Sequence, residues 1–142
     1  MTDLLDLQPT DTVLEIGTGL GYQTAVLLAR RVFSIELIEE LAHQARHRLA
    51  RLGHANVGLK IGDGCRGWPT HAPFDKVIVT AAPEFIPAAL IYQLKPGGKM
   101  VIPAGLPDGQ QLILVDKDAG GSVSTREIFA VRFSLLEDTE SP

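Results

Sequence analysis

The sequence predicts an α/β protein with a mostly parallel sheet and an antiparallel hairpin at its C-terminal edge. Three observations predict it. Short apolar runs recur around Val13–Ile16, Val32–Glu36, Asn56–Ile61, Phe74–Val79 and Lys99–Pro103, the near-continuous pattern of strands buried on both faces. Helix-period stretches separate most of them, and strands alternating with helices require a parallel sheet joined by right-handed crossovers. After Pro103 the alternation stops, and two further runs, Gln111–Asp116 and Glu127–Phe133, flank the turn-forming Asp118-Ala119-Gly120-Gly121-Ser122, which is a hairpin signal.

In chain order, residues 2–7 carry Leu4, Leu5 and Leu7 and read as the last turns of a helix stopped by Pro9. Strand one covers 12–17, and a helix follows over 22–30 with Ala25, Val26, Leu28 and Ala29 inward. Arg30 and Arg31 suit the negative end of its dipole. Strand two runs Val32–Glu36. The longest helix, 38–52, repeats Leu41, Ala42, Ala45, Leu49 and Leu52 at helical spacing and is capped by Gly53. Strand three, Asn56–Ile61, closes on Gly62-Asp63-Gly64. Cys65–Pro73 holds Gly67, Trp68, Pro69 and Pro73 and reads as a loop. Strand four is Phe74–Val79. A helix is expected over Pro83–Gln93, a turn at Lys95-Pro96-Gly97-Gly98, and strand five at Lys99–Pro103. The acidic tail Glu137–Pro142 is expected to fray.

The stretch Val13-Leu14-Glu15-Ile16-Gly17-Thr18-Gly19-Leu20-Gly21-Tyr22 concentrates the functional signal. Glycines after a buried strand let the backbone turn sharply and approach a ligand without Cβ interference. The helix that follows offers free N–H groups to whatever lies in the crevice. The dinucleotide fingerprint Gly-x-Gly-x-x-Gly needs its third glycine where this chain has Tyr22, which argues against a nicotinamide cofactor. The tighter spacing of Gly17, Gly19 and Gly21 suits a nucleoside without a pyrophosphate. Glu36 ends strand two about twenty residues after the first glycine, where a carboxylate accepts ribose hydroxyls. Asp63 ends strand three between two glycines, placed to accept from an exocyclic amine; the plainer reading is a turn aspartate bonded to its own backbone. Glu15, inside strand one, needs a partner once buried, either a ligand ammonium or a backbone N–H.

Other candidates read as structural. His43 and His47 share a helix face, but Gln44 stands where a zinc hydrolase has its glutamate, and Arg46 and Arg48 disfavour a cation; no metal site is expected. Cys65 lacks a histidine–acid framework and reads as loop packing. Trp68 reads as an anchor of its loop.

At 142 residues a single domain spanning 1–142 is expected. A net charge of −4 argues against a nucleic-acid binder working through a broad basic surface. No apolar run approaches the ~20 residues that span a bilayer, the start lacks a signal-peptide pattern, and a lone cysteine fits a reducing compartment. The expected location is cytoplasmic, with no membrane partner.

The glycine turn, Glu36, Gly62-Asp63-Gly64, Gly67-Trp68-Pro69, Ala72-Pro73-Phe74-Asp75, Val77-Ile78-Val79-Thr80-Ala81-Ala82-Pro83 and Leu94-Lys95-Pro96-Gly97-Gly98 together closely resemble the protein-L-isoaspartate O-methyltransferase family. The resemblance runs from about residue 2 to Phe133. It implies a Rossmann-like, seven-stranded methyltransferase sheet that binds S-adenosylmethionine and releases S-adenosylhomocysteine. Gly17, Thr18 and Gly19 would pass the methionine part, Glu36 would take the ribose, and Asp63 with Gly64 the adenine. Thr80 and Ala81 would border the sulfonium end. The implied reaction methylates the free α-carboxylate of isoaspartyl residues in damaged proteins; the ester then collapses to a succinimide that reopens partly to aspartate. The family carries several tens of residues before the position of Met1, including a Ser-Gln-Pro-Tyr-type segment over the cofactor and acceptor carboxylate. Ser134-Leu135 also departs from the family's pattern of a residue and proline before leucine. The resemblance therefore assigns no catalytic residue here. It leaves two alternatives, a cofactor-binding relative without turnover and a methyltransferase for another small acceptor. Apolar surface left by such a segment would favour self-association or a partner.

Overall fold

The computed structural model describes residues 2–17, 30–51, 53 and 56–131. Seven strands form one sheet in the order β3-β2-β1-β4-β5-β6-β7. They are β1 (Thr12–Ile16), β2 (Arg31–Glu36), β3 (Val57–Ile61), β4 (Phe74–Val79), β5 (Leu94–Ala104), β6 (Gln111–Lys117) and β7 (Val123–Ala130). The first five pair in parallel, and β6 and β7 add antiparallel. The α/β sheet and its antiparallel edge are as the sequence predicts. The helix expected over 22–30, the glycine-turn residues Thr18, Gly19 and Gly21, and the acidic tail lie outside the described residues.

Strand alternation sorts the core onto two faces. Leu14, Ile16, Phe33, Ile35, Val77 and Val79 face one side, where Phe74, Leu90 and Met100 join them. Val13, Val32, Ile78 and Val101 face the other, with Leu5 beneath. Phe74, Leu90 and Leu5 are fully buried, each worth about 1.5–3 kcal/mol of transfer free energy. Two α-helices are described, α1 (Glu39–Arg51) and α2 (Ala88–Gln93). In α1 the buried residues are Ala42, Ala45 and Leu49, with Glu39 and Glu40 in the first turn and Arg48 and Arg51 in the last, the charge order that its dipole favours. Lys117 Nζ donates to Ile91 O at 3.0 Å and Leu94 O at 2.9 Å, tying β6 to the C-terminal end of α2, where Ile91 O also accepts from Leu94 N. Among the described residues no helix is long and apolar enough to cross a membrane.

Several boundaries differ from expectation. The N-terminal turn is a 3-10 helix, Thr2–Leu5. Pro87 is the N-cap of α2, so the helix begins five residues later than Pro83. β5 begins at Leu94, and the expected turn Lys95–Gly98 is carried inside it by an irregular register against β4. The last strand lies at Val123–Ala130, because Asp118 Oδ1 accepts from Gly120 N and Ser122 N and tightens the turn before it. The loop after β3 contains two 3-10 turns, Gly64–Arg66 and Pro69–His71.

A buried ion pair that sequence reading missed fastens the amino ends of the strands. Lys76 Nζ, on β4, sits 2.9 Å from Asp11 Oδ2, and both residues are buried. Asp11 Oδ2 also accepts from Gln8 N, and Thr12 N donates to Asp75 Oδ2, both at 2.9 Å. The available signal was a lysine inside an apolar strand, since a buried charge needs a partner.

Candidate functional site

Strand order reverses between β1 and β4, and in open α/β sheets ligands bind beyond the carboxyl ends of the strands at such a reversal. The backbone continues the sheet's pairing just past those ends. Gly62 N donates to Glu36 O at 3.0 Å, Gly17 N to Ile35 O at 2.9 Å, and Thr80 N to Ile16 O at 3.0 Å. Asp63, Glu36, Gly17 and Thr80 therefore stand at the ends of four neighbouring strands. With strands spaced about 4.8 Å apart, the row is roughly 14 Å long.

Each position has a local cause. Gly17 turns the chain at φ 88°, a conformation that favours glycine, and a Cβ there would run into Thr80 Oγ1. Glu36, 7% exposed, accepts from Ile38 N at 3.2 Å through Oε2. Asp63 caps the 3-10 turn Gly64–Arg66, its Oδ1 accepting from Cys65 N at 2.9 Å. That is the turn role weighed from the sequence, and it holds one carboxylate oxygen in place. Gly64 is buried, and a Cβ there would strike the Ile16 side chain, so the turn lies directly against β1. Thr80 and Ala81 are half-buried at the end of β4.

Glu15 is the unusual group. It lies on β1 opposite Ser34, is 1% exposed, and accepts from Ser34 Oγ at 2.9 Å through Oε1. Its Oε2 is buried without a hydrogen-bond partner. Burial pushes its pKa up to about 8; the Ser34 bond opposes this, and the nearby Glu36 charge adds to it.

The loop beside the site is anchored by Gln93, which sequence reading did not single out. Its Oε1 accepts from Trp68 N and its Nε2 donates to Arg66 O, both at 2.8 Å. Gly67 lies against that amide at φ 62°. Trp68 packs edge-on against Phe33 at 5.4 Å, and His71 stacks on Phe33 at 4.1 Å. The only advance signal for Gln93 was a polar residue closing an apolar helix. His43 lies near Glu39, Nε2 to Oε1 at 3.4 Å, on the exposed face of α1.

A parallel sheet with a reversal point, an acid ending its second strand and an antiparallel edge matches the Rossmann-like fold of S-adenosylmethionine-dependent methyltransferases. A Plasmodium falciparum protein solved in complex with S-adenosyl-L-homocysteine shares that fold at TM-score 0.79 and 21% identity, over 92% of this chain and 67% of its own. The family model for protein-L-isoaspartate(D-aspartate) O-methyltransferase matches residues 1–141, and the chain belongs to that family. It is 76% identical to protein-L-isoaspartate O-methyltransferase 1 of Polaromonas sp. JS666 over 99% of this chain, and spans 60% of that relative's length. A solved protein-L-isoaspartate O-methyltransferase superposes at TM-score 0.87 with 29% identity, covering 96% of this chain and 45% of its own.

Proposed function

We propose that this chain binds S-adenosylmethionine along the carboxyl edge from Asp63 to Thr80 and transfers its methyl group to the free carboxylate of L-isoaspartyl residues in damaged proteins. Family membership supports the activity. The observation that carries the cofactor reading is the contiguous row of two acids, a positive-φ glycine and a threonine at four adjacent strand ends. The vacant Oε2 of Glu15 fits a group with a cationic ammonium.

When bound, S-adenosylmethionine supplies a methyl group made electrophilic by its cationic sulfur. Glu36 holds the ribose hydroxyls. Asp63, its Oδ1 fixed by Cys65 N, presents its other oxygen to the adenine amine, with Gly64 alongside. Glu15 receives the ammonium, and Gly17 passes the methionine part with Thr18 and Gly19 beyond it. Thr80 and Ala81 border the methyl end. The acceptor carboxylate is already ionised at pH 7, so the chain needs no general base. Its contribution is to align the groups and exclude water. The isoaspartyl protein or peptide is the proposed partner, and the proposal includes neither a nucleic-acid partner nor a metal.

Transfer of labelled methyl from S-adenosylmethionine to an isoaspartyl peptide, released as methanol by base, tests the activity. Label on the isoaspartyl peptide but not its aspartyl twin supports it. S-adenosylhomocysteine binding without any transfer rejects it for this chain.

A further inference from the structure

Thr80 ties the end of β4 to the end of β1 through its side chain. Its Oγ1 lies 2.8 Å from Gly17 O and 3.1 Å from Ile16 O. Both acceptors belong to β1 and the turn that leaves it, more than sixty residues earlier in the chain. A hydroxyl has one proton to give, and the shorter contact directs it to Gly17. The site lies on the β1–β4 boundary, where the strand order reverses. Past the Thr80 N to Ile16 O bond, the described ladder between these strands ends. The hydroxyl makes the next link. Gly17 is shaped to receive it, since its missing Cβ would occupy the place of Thr80 Oγ1.

Resting on the cofactor reading above, we propose that Thr80 is a positioning residue, its hydroxyl latching the Gly17 carbonyl to β4 and so setting the backbone path along which the cofactor lies. The latch acts through Gly17 and takes no part in the transfer itself. It fixes a turn that φ 88° leaves to glycine alone, the residue with most conformational freedom to lose. Loss of the hydroxyl frees the turn to sample other paths, and the ligand must then order it on binding.

Thr80→Val keeps the side-chain shape and removes the donor; Thr80→Ser keeps the donor. Calorimetric titration of the 142-residue chain with S-adenosylhomocysteine should show Thr80→Val weaker by about tenfold, the order of one lost hydrogen bond. Thr80→Ser should stay within about twofold of the parent. Amide hydrogen exchange, which needs no ligand, should quicken at Gly17 in the valine variant and not in the serine variant. Equal exchange in all three proteins overturns the latch whatever the titrations give. Equal loss of affinity in both variants also overturns it, since it points to shape rather than the hydroxyl. Faster exchange in the valine variant, with no binding by the parent, leaves the latch standing and rejects the cofactor reading.

Discussion

Ser34 Oγ donates to Glu15 Oε1 at 2.9 Å across the β1–β2 boundary, while Glu15 Oε2 stays buried and unpartnered. This half-satisfied carboxyl, with its pKa raised from 4.5 to about 8 chiefly by burial, makes stability depend on pH in a definite direction. The folded protein keeps a proton that the unfolded chain releases once the pH exceeds about 4.5. The contribution is therefore complete below that pH, declines as pH rises, and is lost once pH passes about 8. Glu15→Gln keeps an acceptor for Ser34 and removes the titration. Thermal midpoints from pH 5 to 9 should fall less steeply in the variant, the underlying stability difference amounting to about a few kcal/mol at most. Parallel curves for the two proteins would contradict the assignment.

If Glu15 receives the cofactor's ammonium as proposed, the same carboxyl should link ligand binding to protons. An ammonium beside Oε2 favours the ionised form, so binding near neutral pH should release a proton. S-adenosylhomocysteine affinity should tighten from pH 6 to 8, and calorimetric heats should change with the buffer's ionisation enthalpy. Glu15→Gln should remove both effects.

At the opposite end of the strands, Lys76→Met leaves Asp11 as a buried carboxylate without its cation. Breaking one partner of such a pair costs about 3–5 kcal/mol. Denaturant unfolding should show that loss, with ligand affinity changed by less than about twofold because the pair lies at the strands' amino ends.

Gln93→Leu removes the partners of Trp68 N and Arg66 O at about the same side-chain size. Each orphaned group costs about 1–3 kcal/mol. Because the same loop begins with Asp63 and Gly64, both stability and S-adenosylhomocysteine affinity should fall. Gly64→Ala should also destabilise, by about 1–3 kcal/mol, since its Cβ has no room beside Ile16.

The strands were legible because buried parallel strands write themselves as bounded apolar runs. Gly17, Glu36 and Asp63 were legible because each closes such a run, and the structure sets them side by side at the carboxyl ends of neighbouring strands. What escaped the sequence was long-range pairing. Asp11 and Lys76 are 65 positions apart, and Gln93 reaches back 25 and 27 positions to Trp68 and Arg66. No local pattern encodes such partners. Local rules also failed where tertiary pairing overrode them: Lys95-Pro96-Gly97-Gly98 has turn composition, yet pairing with β4 and β6 draws its flanks into one strand. Pro83 looked like a helix start, but its carbonyl accepts from Gly105 N at 3.0 Å, and helix formation waits for Pro87.

The most direct test of the central claim is calorimetric titration with S-adenosylhomocysteine of the parent chain, Glu36→Gln and Asp63→Ala, with each fold checked by circular dichroism. One-to-one binding by the parent, weakened at least about tenfold in both folded variants, is the result predicted here. No binding by the parent, or affinity unchanged in both variants, would contradict it.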